Sequence, residues 1–172
     1  MDQTLSEALF RAADDGDLPA AIAAIETGAD VNAVHPDLGD SPLHHAVENG
    51  HTPLAKMLLS RGAWVDCSPW CSWASHDIED DEERWMKYPN VSPPLIIAAR
   101  SGSIDIVSLL LESKATVDAK NESRMTALMV AAQEGHAKVV KILLEHGAKV
   151  YEKDEKKMSA FMYAAKNGRT VV

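Results

Sequence analysis

One stretch of text recurs along this chain at a nearly fixed period, and that period decides most of what the chain can fold into. Variants of it begin at Glu7 (EALFRAADDGDLPAAIAAIETGADV), Ser41, Pro93, Thr126 (TALMVAAQEGHAKVVKILLEHGAKV) and Ser159, at spacings of 34, 52, 33 and 33. Self-similarity at a fixed period means stacked units, none of which can bury its apolar face alone. Within a unit, small pairs such as Ala98-Ala99 and Ala131-Ala132 mark a first helix that another backbone can approach closely. A glycine such as Gly102 or Gly135 interrupts it. A second helix follows, with apolar pairs one turn apart. Ile106-Val107 with Leu110-Leu111, and Val139-Val140 with Leu143-Leu144, each make one apolar face. Gly28, Gly62 and Gly147 end the second helix where a left-handed cap is expected. Lys114 takes that place in the third unit, at a cost of about 1 kcal/mol if it keeps the same backbone conformation.

Ser41-Pro42-Leu43-His44, Gly135-His136, Val139-Val140, Leu143-Leu144 and Gly147-Ala148 together resemble the motifs of ankyrin repeats. The resemblance covers about residues 5–67 and 92–172. It implies an all-α solenoid of stacked helix-turn-helix units joined by β-turn fingers, forming one domain over 1–172. The units are 5–34, 39–67, 92–121, 124–154 and an incomplete 157–172. The departures are local: Ile96, Met129 and Met162 replace the family histidine, and Arg124 and Lys157 replace the turn glycine. His44 is expected to hold the turn backbone, and His51 and His136 to sit at the break between helices. The fifth unit stops before its second helix, so further sequence is expected to follow Val172.

The one long spacing is the period plus an insertion, and the extra text falls in 68–91, at the tip of a finger. Per-repeat insertions map to loops on one face. This one is acidic and holds Trp70, Trp73, Trp85 and Tyr88. Large amphipathic aromatics are favoured at binding hot spots; the other option is that they pack back onto the array near Trp64. Cys67, Cys71 and His76, with Asp77 or Glu79, are zinc-ligating types, but structural sites use tighter pairs such as C-x2-C and a distant second pair. The acids at 79–83 lack the central glycine of a calcium loop. No metal or cofactor is expected.

Charge narrows the partner class. The net charge is −9. Residues 1–91 carry 17 acids against 5 bases, a net −12, and residues 92–172 carry 9 acids against 12 bases, a net +3. Nucleic acid is a poor partner for such a chain, because phosphate contacts need Lys and Arg. No apolar run approaches the roughly 18 residues of a membrane span, and the acidic, amphipathic N-terminus is no targeting peptide. Two cysteines make no disulfide framework, which points to a reducing, intracellular setting, the cytoplasm with the nucleus as the alternative. The triplets at Asn90 and Asn121 are read as chance. No phosphate loop, H-E-x-x-H or G-x-S-x-G occurs, and no Ser or Cys has a recognisable base in sequence, so no enzyme is expected.

The resemblance implies function through surface. It places the variable positions His45, Ile97, Val130 and Tyr163 along the concave face, with Met125 and Met158 at the fingertips and Arg100 and Arg124 at the rim. With Trp70, Trp73, Trp85 and Tyr88 these are the candidate contacts for a protein or peptide partner. The expected function is non-enzymatic protein binding by a monomer, with an uncovered C-terminal end able to dimerise. The alternative is a regulatory or substrate-recruiting arm of an enzyme whose catalytic domain lies beyond Val172.

Overall fold

The structure, a computed structural model, describes residues 3–66 and 91–168. Nine helices occur among them: α1 (Gln3–Asp15), α2 (Leu18–Glu26), α3 (Pro42–Glu48), α4 (Thr52–Ser60), α5 (Pro94–Ser101), α6 (Ile104–Glu112), α7 (Ala127–Glu134), α8 (Ala137–Glu145) and α9 (Ala160–Lys166). Their starts are chemically marked. The Thr126 hydroxyl accepts the Met129 N–H at 3.4 Å, and Ser159 does the same for Met162. Asp17 accepts the Ala20 N–H at 3.0 Å, with Pro19 in the first turn where a missing N–H costs nothing. The units are therefore helix pairs α1–α2, α3–α4, α5–α6 and α7–α8, with α9 opening a fifth.

Two layers result. The first helices α1, α3, α5, α7 and α9 pack one on the next, and the second helices α2, α4, α6 and α8 form a parallel layer behind them. The core is one continuous cluster between the layers, from Leu9 and Ala21 through Leu58, Leu95 and Ile106 to Leu143 and Ala164. The alanine pairs are buried, as close approach of helices requires. Lys114 takes a left-handed φ of 71°, so the third unit keeps the glycine's conformation without the glycine. Arg124 and Lys157, at φ 59° and 60°, do the same in the fingers.

A side-chain ladder stitches neighbouring units together. Asn32 accepts the Trp64 N–H at 2.8 Å and donates to the Gly62 carbonyl at 3.1 Å. Asp66 accepts the Thr116 N–H at 3.0 Å and the Thr116 O–H at 2.6 Å. Asp118 accepts the Lys149 N–H at 2.9 Å. These three residues hold the same place in consecutive units, so the stacking register is kept across the long spacing. Val91, assigned from sequence to the insertion, is buried and belongs to the array. The rest of the insertion lies outside the described residues.

Candidate interaction surface

Each finger is a hairpin built on one polar residue. In 121–125 the Asn121 and Met125 backbones pair, and the Asn121 side-chain oxygen accepts the Met125 N–H at 2.9 Å. Asn121 is buried, so its N-x-S triplet offers no exposed amide. In 154–158 the buried Asp154 plays the same part, accepting the Met158 N–H at 2.7 Å. Asp154 also accepts the Tyr163 O–H at 2.5 Å, which ties the finger to α9. Burial works against the Asp154 charge, but hydrogen bonds from Tyr163 and the Met158 and Lys156 backbones, with the Lys156 charge, hold its carboxyl below the usual range. The same hydrogen bond, with burial and the carboxylate's charge, pushes the Tyr163 phenol up to about 12. The two fingers touch through the Glu155 N–H and the Ser123 carbonyl, 3.2 Å apart.

The expected variable positions differ in exposure and in what they bond. Ile97 is half-buried against the core, and Met125 and Met158 are half-buried at the finger bases. Arg100 and Arg124 are exposed. Val130 differs: it is only 3% exposed. Its short side chain ends below the surface of the close-packed α5 and α9, so it is core rather than contact. Tyr163 is half-buried and acts through its hydroxyl as an anchor for the finger. Trp70, Trp73, Trp85 and Tyr88, and the ligand types Cys67, Cys71, His76, Asp77 and Glu79, lie outside the described residues.

His45 has a different occupation from the expected one. Its Nδ1 lies 2.6 Å from Asp14 and its Nε2 3.1 Å from Asp40, and the side chain is 12% exposed. Phe10 meets the ring edge-on at 5.1 Å and His35 stacks at 6.0 Å. Two ring nitrogens facing two carboxylates can both donate only in the imidazolium. Burial disfavours that charge, but the hydrogen bonds and charges of Asp40 and Asp14 outweigh it and raise the pKa to about 9. The clamp joins α1 to α3 and leaves neither nitrogen for a partner. Asp14, a whole unit before His45, carries no local signal in the sequence.

The clamp predicts a pH dependence. A folded pKa above the unfolded value of about 6.5 stabilises fully below that value and is lost as pH rises through about 9. Urea unfolding should therefore show stability falling between about pH 6.5 and 9.5, and His45→Gln should flatten that fall. An unchanged slope in the variant would contradict the clamp.

The remaining motif histidines are structural. His44 is buried; its Nδ1 accepts the Ser41 N–H at 3.1 Å, so its Nε2 carries the proton given to the Ser92 carbonyl at 3.2 Å. His51 and His136 each reach back one unit, with Nε2 2.9 Å from the Asp14 carbonyl and 3.0 Å from that of Arg100. Among the described residues no group of three His, Cys, Asp or Glu could hold a metal ion, and no helix is long and apolar enough to cross a membrane.

Family models agree with the helix pairs in register, the turn histidines and the paired fingers. One described as ankyrin repeats (3 copies) matches residues 78–154 and 95–172, and one described as ankyrin repeats (many copies) matches 9–59. The chain belongs to the ankyrin repeat family. No curated protein matches it significantly. Together the two models leave 1–8 and 60–77 uncovered, and the second of these gaps overlaps the first part of the insertion at 68–91. Ankyrin repeats generally mediate protein–protein interaction and are typically non-enzymatic.

Proposed function

We propose that this ankyrin array is a non-catalytic module that binds a protein or peptide along the edge formed by its first helices and fingers. The observation that carries the reading is the half-buried apolar strip of Ile97, Met125 and Met158, flanked by the exposed Arg100 and Arg124. Asn121 and Asp154 close their own fingers, and Tyr163 ties the second to α9, so little ordering cost remains when a partner docks. Adaptable methionines beside arginines suit a partner segment with an apolar anchor and acceptor groups. The insertion joins the proposed surface through Trp70, Trp73, Trp85 and Tyr88 on the sequence argument alone, and its acids call for basic surface on the partner. A cytoplasmic setting rests on the cysteine usage.

The test is selection of peptides from a displayed library on the purified chain, followed by affinity measurement. Ile97→Glu should weaken the selected peptides at least tenfold, while Lys56→Glu on the exposed surface of α4 should leave them unchanged. Arg124→Glu should reduce mainly the on-rate, and the loss should shrink at high salt. Equal binding by Ile97→Glu and the parent would place the site elsewhere.

A further inference from the structure

Two successive fingers place a cation on a left-handed backbone. Arg124 and Lys157 occupy the same position in fingers 121–125 and 154–158, at φ 59° and 60°. The corresponding residue of the first finger is Gly39, at φ 76°, where no Cβ opposes the conformation. A side chain at that place costs stability, and backbone strain of this kind clusters at functional sites. Lys114, the third left-handed residue other than glycine among the described residues, has a reason within the chain: it follows the C-terminal end of α6, where the helix dipole favours a cation. Arg124 and Lys157 follow no helix. Both are exposed, and neither side chain makes an ion pair among the described residues. Glu152, which feels the Arg124 charge, is already held by Lys120 at 2.7 Å.

We propose that Arg124 and Lys157 form a paired carboxylate-binding site, so that the partner segment on this part of the edge is acidic; this rests on the edge being the interaction surface, as proposed above, and adds the partner's chemistry. The Arg124 guanidinium can take a carboxylate through two parallel N–H donors, and Lys157 supplies a point charge. Met125 and Met158, each next to its cation, are half-buried and offer apolar contact beside the charge. Successive units lie one helix spacing apart, about 8–10 Å, and an extended chain advances about 3.3 Å per residue, so the two acids should stand about three residues apart. The contact between the Glu155 N–H and the Ser123 carbonyl, at 3.2 Å, holds the two fingers at a fixed separation. The other exposed charges of the two fingers and of α5, α7 and α9 balance: Arg100, Lys156 and Lys166 against Glu122, Glu134 and Glu155. The positive surplus there is therefore Arg124 and Lys157 themselves, with Lys153 just before the second finger adding to it. That surplus suits a few carboxylates and is too small for a phosphate backbone, on a chain of net charge −9.

Peptides selected on the full chain from the displayed library are the probes, with fluorescence anisotropy as the readout. They should carry two Asp or Glu residues about three apart beside an apolar residue. Replacing both acids by Asn or Gln should weaken binding about tenfold or more. Arg124→Gly and Lys157→Gly should each weaken the acidic peptides about fivefold, with a smaller loss at high salt. Both variants should also raise the urea midpoint, because glycine relieves the left-handed backbone. A cation kept for the fold alone would not show the two effects together. The neutralised peptides should not respond to Arg124→Gly. Selected peptides without acids, parent-like binding by both glycine variants, or a lower midpoint in Arg124→Gly each overturn the proposal. Binding only after phosphoserine replaces the acids would name a phosphate site and overturn it equally. Ile97→Glu separates these failures from failure of the edge: weaker binding there keeps the edge as the interaction surface, and equal binding removes the edge and the site together.

Discussion

Gly102→Ala should destabilise the chain by about 3 kcal/mol, while Gly50→Ala should cost only about 1 kcal/mol. Both glycines end the first helix of a unit, and both are left-handed, at φ 71° and 77°. The backbone penalty is therefore common to the two. The space is not. A Cβ on Gly102 would lie 2.7 Å from the His136 ring, whereas one on Gly50 meets nothing within 4 Å. The difference is written one unit further along the sequence. The residue after Gly135 is His136, which reaches back to the Arg100 carbonyl across the face of Gly102. The residue after Gly102 is Ser103, too short to reach Gly50 in the same way. In Gly102→Ala the ring must move, so a hydrogen bond worth about 1 kcal/mol is strained or lost on top of the crowding. Combining it with His136→Ala should remove the crowding, giving a coupling of about 1–2 kcal/mol in the double-mutant cycle. Gly16→Ala should behave like Gly102→Ala, because a Cβ there lies 2.6 Å from His51. Urea midpoints decide it; equal costs at Gly50 and Gly102 would mean the histidine contact is not tight.

What could be read from the sequence was what is local. The helix pairs follow from apolar pairs one turn apart and from caps close in sequence, such as Thr126 over Met129. The left-handed place of Lys114 was legible because the period aligned it with Gly28, Gly62 and Gly147. The structural roles of His44, His51 and His136 came with the family motif. What escaped were groups whose partners lie a unit or more away in sequence: Asp14 on His45, Asn32 on Trp64, Asp66 on Thr116. Asn32, Asp66 and Asp118 do recur with the period, but each meets a backbone N–H of the next unit, which no side-chain pattern marks, and His45 has no histidine counterpart at Ile97, Val130 or Tyr163. The apolar row failed at Val130 for a related reason. Position on a helix sets direction, but exposure depends on how far the neighbours' side chains extend, and Val130 stands between close-packed α5 and α9.

The ladder makes the joint between the second and third units the place where one substitution should divide the molecule. Asp66 receives two donors of Thr116, the N–H at 3.0 Å and the hydroxyl at 2.6 Å. At the joints on either side, the neutral Asn32 accepts one backbone N–H and donates to the Gly62 carbonyl, and Asp118 accepts one backbone N–H with the exposed Lys149 ammonium 3.8 Å away. Two hydrogen bonds to one carboxylate thus fall at the joint whose connection is lengthened by the insertion, where chain connectivity restrains the two sides least. Hydrogen bonds to a charged acceptor contribute more than neutral ones, and a donor left without an acceptor adds its own cost. Because Asp66 and Thr116 are near the surface, water recovers part of that loss, so Asp66→Ala should cost about 2 kcal/mol against about 1 kcal/mol for Asp118→Ala. Repeat stability is a sum of unit and interface terms, so weakening one interface lowers cooperativity as well as stability. Native-state hydrogen exchange should then show α1–α4 opening at a lower free energy than α5–α8, where the parent opens both together. Asp66→Asn keeps an acceptor for the Thr116 N–H, as Asn32 does for Trp64, and should preserve single-step unfolding. If Asp66→Ala and Asp118→Ala cost the same and exchange stays uniform along the array, the joint is held by helix packing alone and the ladder only decorates it.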